Sequence, residues 1–173
     1  MIQTLSRFSQ QRLAWALLLL SAIGLFIAAL VFQYALNLEP CLYCIYIRVA
    51  VVALALAALV GLLAPRNPAV AGVGFLGWAI SAGWGLQLSL TLVEKQAGTQ
   101  PTGLFGPSCD YIPNFPSWMP LHQWLPSLFE PRGQCGDEAW QWLGITMAEW
   151  MVVVFVIYLV MWALFAASRL ARR

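Results

Sequence analysis

Four apolar runs, at 13–32, 45–64, 69–92 and 150–167, limit what this chain can become more than any motif within it. Each comes close to or passes the about 20 residues that an α-helix needs to cross the hydrocarbon of a bilayer. Of 173 residues, 61% are hydrophobic and 9% charged, against about a quarter charged in soluble domains, and little is left to build a separate soluble core. The expected fold is an all-α membrane protein: one domain over 1–173, a four-transmembrane-helix bundle with two loops, 33–44 and 93–149, on one side. Arg7 and Arg12 precede the first run as they would a secretory signal. Its apolar stretch exceeds the roughly 7–15 residues of a signal core and no clear A-x-A site follows, so it is read as a retained span. Small residues recur at helical spacing, Ser21, Gly24 and Ala28 in the first run and Gly77, Ser81 and Gly85 in the third, which predicts close helix approach in lipid.

Basic residues orient the bundle, because short cytoplasmic loops retain Lys and Arg. Arg7, Arg12, Arg66, Arg169, Arg172 and Arg173 fall on one side, and only Lys95 and Arg132 on the other, with Arg48 just inside the second run. Both termini are therefore expected in the cytoplasm. A net charge of +2, scattered along the chain, gives no ground for a nucleic-acid partner.

All four cysteines, Cys41, Cys44, Cys109 and Cys135, then share the non-cytoplasmic side. An even number facing an oxidising compartment argues for disulfides, and an exported bacterial-type face is the compartment that suits this chain. Cys41 and Cys44 form a C-x-x-C in "EPCLYCIYIR", at the mouth of the second run, with Pro40 suited to a helix start. Positions three apart on a helix lie about 5 Å apart, within the reach of a disulfide, so the pair can open and close with little backbone movement. The positive end of the helix macrodipole and the C-x-x-C arrangement both lower thiol pKa, which predicts a poised thiolate nucleophile.

Arg48 lies one turn beyond Cys44 on the same helical face. A guanidinium near the end of a lipid-crossing run either snorkels to the headgroups or serves a function. The neighbouring sulfur favours the second, since a fixed cation stabilises a Cys44 thiolate and any anion formed on an electron acceptor at the membrane rim. A two-electron acceptor dissolved in the membrane suggests a quinone.

Cys109 and Cys135 sit in "GPSCDY" and "PRGQCG", irregular Pro- and Gly-containing chain. A plain staple there would stabilise the fold by about 3–4 kcal/mol in the chain-entropy model. An exposed disulfide on the same face as a C-x-x-C can also pass electrons by thiol–disulfide exchange. Between them, "NFPSWMPLHQWLPSLFE" is apolar but cut by Pro116, Pro120 and Pro126. Trp118, Leu121, Leu125 and Leu128 fall near one helical face, which predicts a short helix lying in the membrane interface. His122, in the same stretch, is given no role.

Other chemistries fit less well. Cys109 and Cys135 are too far apart to complete a structural zinc site, so no metal is expected. Residue 45 is Ile where haem attachment needs His. No phosphate loop is present, and mid-membrane polar residues of the kind transporters use are nearly limited to Gln87 and Ser89.

Four spans, "PCLYCIYIR" opening the second, the "PRNP" turn after it, and the pattern C-D-Y, F-P, W, P-L, W-x-P over 109–126 resemble the DsbB family of bacterial inner-membrane thiol oxidases. The likeness covers nearly the whole chain. It implies that Cys109 forms a mixed disulfide with a periplasmic thioredoxin-fold oxidase of the DsbA type and releases Cys135. Cys135 then attacks Cys41, and the freed Cys44 thiolate passes electrons to ubiquinone or menaquinone with Arg48 assisting. Some members carry a histidine where the third helix meets the outer loop; this chain reads "LTLVEKQ" there, so that role is absent or taken by another group. Two rivals remain. A relative of vitamin K epoxide reductase would carry its loop pair before its C-x-x-C, the reverse of the order here, and a membrane scaffold would use both disulfides only as braces.

Overall fold

Lipid-length apolar runs leave their backbone one economical option, internal hydrogen bonding along a helix, and the computed structural model has four helices long and apolar enough to cross a membrane. It describes residues 10–97, 113–117, 119–133 and 140–170. The elements are α1 (Arg12–Tyr34), α2 (Leu42–Leu63), α3 (Pro68–Gln96), two single turns α4 (Leu121–Trp124) and α5 (Pro126–Phe129), a hairpin β1 (Gln141–Trp142) and β2 (Ile145–Thr146), and α6 (Met147–Leu170).

The helices extend past the apolar runs at the end where the cysteines lie. Hydropathy marks only the stretch that lipid demands, while local capping decides where the helix begins. Cys41 is the N-cap of α2, its sulfur accepting from the Cys44 backbone N–H at 3.3 Å. Asn67 caps α3 by accepting from the Ala69 N–H at 3.0 Å, with Pro68 in the first turn where its missing N–H is not needed. Thr146 and Glu149 form a reciprocal capping box before α6, through Thr146 N–H to Glu149 Oε2 at 2.7 Å and Glu149 N–H to Thr146 Oγ1 at 3.3 Å.

α2 is the central helix, packed between α1 and α3, and α3 in turn packs on α6. Ile45, Ala50, Leu54 and Ala58 of α2 have no exposed surface. Small residues set the spacing: a Cβ at Gly77 would meet Ala57 Cβ at 2.9 Å, and one at Gly85 would enter the Phe155 ring. The expectation of close packing at Gly24 is not met. Among the described residues nothing lies within 4 Å of a Cβ placed there, since the small-residue spacing on α1 runs onto an open side. Ser21, on the same helix, does serve packing, accepting from the Tyr158 hydroxyl of α6 at 3.0 Å.

In place of the single short helix expected within "NFPSWMPLHQWLPSLFE" stand α4 and α5, broken at Leu125 (φ −135°, ψ 65°). Leu125 precedes Pro126, and the proline ring expels the residue before it from helical geometry. Leu121 and Leu128 therefore do not share one helical face, and Trp118 lies outside the described residues.

Candidate functional site

The N-terminal turns of α2 carry the chemistry. Cys41 precedes the helix and is buried, Cys44 occupies its first turn and is half-buried, and both are free thiols. Arg48 follows one turn later and is 6% exposed. The spacing that suggested a common face in the sequence puts Cys41, Cys44 and Arg48 on the wall of one cavity, of about 670 Å³. Cavities of roughly 300–1,000 Å³ are the size that small-molecule ligands occupy. Its other walls are mostly apolar, with Phe26 and Phe32 from α1, Leu92 from α3 and Met151 from α6, and Arg132 and Gly133 reach it from the long loop. Cys109 and Cys135 lie outside the described residues.

The thiols of the C-x-x-C pair are unequal. Cys41 is pushed up from the ordinary thiol range by its hydrogen bond with Cys44, by burial and by the charge of Cys44, in that order, and these outweigh the backbone N–H groups that favour its thiolate. The lowering expected from the helix start therefore does not prevail at Cys41, because a sulfur that shares a proton with its neighbour keeps it.

Arg48 spends its donors on neutral acceptors: Gln33 Oε1 at 2.6 Å, the Leu128 carbonyl at 3.0 Å and the Ala29 carbonyl at 3.2 Å. Among the described residues no carboxylate pairs with it; the ion pair found is Arg132 with Glu130 at 3.0 Å, on the surface. Gln33 is a hub that sequence reasoning missed. Its amide oxygen accepts from Arg48 while its amide nitrogen donates to the Ser127 carbonyl at 3.2 Å, which also accepts from the Tyr34 hydroxyl at 2.5 Å.

The long loop is stitched to the start of α2 at two further points. The Arg132 and Gly133 N–H groups both donate to the Pro40 carbonyl, at 3.0 and 3.1 Å. A Cβ on Gly133 would overlap the Glu39 carbonyl, so the approach requires glycine. On the opposite flank the Asn114 N–H donates to the Tyr46 hydroxyl at 2.8 Å, and Phe115 packs between Tyr46 and His122 with centroids at 5.6 and 5.8 Å. Gln96, in the last turn of α3, is a second residue the sequence did not single out. It lines the cavity, and its amide oxygen is buried with no hydrogen-bond partner among the described residues.

The family model for disulfide bond formation protein DsbB matches residues 11–165. The chain belongs to the DsbB family. A disulfide bond formation protein B from Shewanella frigidimarina is 50% identical over 160 residues, covering 92% of each chain. One from Shewanella amazonensis is 46% identical over 171 residues, covering 99% of each, and one from Shewanella loihica is 46% identical over 169. As a DsbB-family protein with four membrane-length helices, this is a multi-pass membrane protein of disulfide bond formation. In the "LTLVEKQ" stretch of this DsbB-family chain, Leu92 and Gln96 are the residues that reach the cavity.

Proposed function

We propose that this chain oxidises the dithiol of a periplasmic thioredoxin-fold partner of the DsbA type and delivers the electrons to a membrane quinone, ubiquinone or menaquinone. In this reading it lies in a bacterial inner membrane with both termini cytoplasmic, and α4 and α5 rest at the outer interface. The observation that carries the proposal is one cavity, apolar for most of its wall, that brings together the Cys41–Cys44 pair and a buried guanidinium with no carboxylate counter-ion among the described residues. Such a wall suits a planar apolar ring, and the Arg48 guanidinium and the amide nitrogen of Gln96, both on that wall, are donors that suit the oxygens of its carbonyl groups.

Each protein step is a thiol–disulfide exchange that conserves sulfur bonds and electrons. A thiolate of the partner attacks the Cys109–Cys135 disulfide at Cys109 and releases Cys135 as thiolate. Cys135 attacks Cys41 of the Cys41–Cys44 disulfide and releases Cys44. The partner's second thiolate closes its own disulfide and frees Cys109, which recaptures Cys135 and leaves Cys41 and Cys44 reduced. Closing their disulfide again releases two electrons and two protons, which a quinone accepts to become a quinol. Arg48, one turn from Cys44, is placed to stabilise negative charge that forms on that sulfur as the pair is opened and closed. Support for the Cys135 to Cys41 step comes from Gly133, two residues before Cys135 in the sequence, whose N–H is held by the Pro40 carbonyl next to Cys41.

The test mixes purified protein in detergent with a reduced DsbA-type partner and a soluble quinone and follows quinone absorbance. Turnover that vanishes in Cys44→Ser while the helical fold persists supports the assignment. Unchanged turnover refutes it, and a scaffold with structural disulfides would give no turnover in either protein.

A further inference from the structure

The two central residues of the β1–β2 hairpin, Leu143 and Gly144, both have positive φ, 57° and 76°. Paired strands with Gln141 opposite Thr146 and Trp142 opposite Ile145 leave a two-residue connection of the type that favours Asn-Gly, because both positions sit in the left-handed region. Gly144 meets that requirement. Leu143 does not, and it is 75% exposed beside Trp142 at 55%. A tip facing water has no use for an apolar side chain in a conformation leucine disfavours.

What lies below the tip identifies what covers it. Trp142 packs on Trp150, with centroids 5.4 Å apart, and the Trp150 indole N–H donates to the Trp142 carbonyl at 3.4 Å. Trp150, itself half-buried, begins a row on α6, three and four residues apart, that continues through Val153, Ile157, Val160 and Leu164, these four at least 42% exposed. On a membrane-length helix an exposed apolar row of this kind faces lipid. The hairpin therefore caps a lipid-facing surface without a break in its apolar character. Its own backbone is paired across the two strands, which a segment entering the bilayer boundary requires. Tryptophan is the residue most at home at that depth.

We propose that the β1–β2 hairpin is a membrane-interface anchor, with Trp142 and Leu143 inserted at the boundary between headgroups and acyl chains of the leaflet in which α6 begins. This rests on the α6 surface and not on the redox reading. Because Trp140 and Trp150, on either side of the hairpin, both line the cavity, the anchor also sets the depth at which that wall of the cavity stands in the bilayer.

The experiment uses the full-length protein labelled with fluorotryptophan in nanodiscs of mixed zwitterionic and anionic phospholipid. The Trp142 fluorine resonance, one of nine, is assigned by its loss in Trp142→Phe. Its broadening is compared between a phospholipid carrying a nitroxide near the top of the acyl chain and a water-soluble gadolinium chelate. The expected result is broadening by the lipid nitroxide at least about threefold stronger than by the chelate, and a fall of about twofold or more in that lipid effect in Leu143→Asn, which suits the left-handed position and keeps the hairpin. Circular dichroism and a thermal scan confirm that Leu143→Asn is folded. Broadening chiefly by the chelate, protection from both agents, or a lipid effect unchanged in folded Leu143→Asn would overturn the proposal.

Discussion

Arg48→Gln removes a positive charge while keeping a polar side chain of similar reach. The lost interaction is that of a unit cation with an anionic sulfur one helical turn away, at about 6 Å between the two Cβ atoms. At the effective dielectric of about 20 that suits partly buried protein sites, such a pair is worth about 3 kcal/mol, or about 100-fold in rate. Arg48 is 6% exposed, so salt in the buffer should screen little of it. The effect should spare the step that involves neither Cys44 nor the quinone. With the purified variant, formation of the first mixed disulfide between a reduced DsbA-type partner and Cys109 should proceed within about twofold of the wild-type rate, while quinone reduction at saturating quinone should slow about 100-fold. Arg48→Lys, which keeps the charge but cannot span Gln33, Ala29 and Leu128 together, should lie between the two. Equal slowing of both steps would mean that Arg48 acts by holding the loop through Leu128, and the electrostatic argument would fail.

Gln96→Leu should raise the melting temperature in detergent, because it removes a buried amide oxygen that has no partner among the described residues, worth about 1–3 kcal/mol, yet raise KM for quinone by about tenfold; an unchanged KM would separate Gln96 from the acceptor. Gly133→Ala forces the loop from the Glu39 carbonyl and weakens two hydrogen bonds to Pro40, together worth about 2 kcal/mol. Quenched-flow trapping of the disulfide between Cys41 and Cys135 should then show slower formation, with quinone reduction from the chemically reduced Cys41–Cys44 pair untouched. Gly85→Val should overpack the contact with Phe155 and lower stability by about 1–3 kcal/mol, read as a drop in melting temperature with the α3–α6 packing loosened.

The sequence made the bundle legible because lipid length is written directly in hydropathy, and it made Cys41, Cys44 and Arg48 legible because i, i+3 and i, i+4 spacing at a proline-marked helix start needs no tertiary information. Gln33 and Gln96 were opaque for the opposite reason. Each is a lone amide near the end of an apolar run, and only the fold turns one toward Arg48 and the other into the cavity. Small-residue spacing showed that Gly77, Gly85 and Gly24 could each admit a close neighbour but not which face meets one, so Gly24 was misjudged with the other two. Leu125 was misread because the apolar pattern was allowed to override the conformational effect of Pro126. The hairpin went unnoticed because its strands are two residues long and its turn lacks the Asn that ordinarily announces such a connection.

The guanidinium that faces the cavity also holds the Leu128 carbonyl of the outer loop. One side chain thus serves as both wall and tether. A protein settling on the outer surface and shifting that turn would tug on the cation inside, and a negative charge arising inside would slacken the tether.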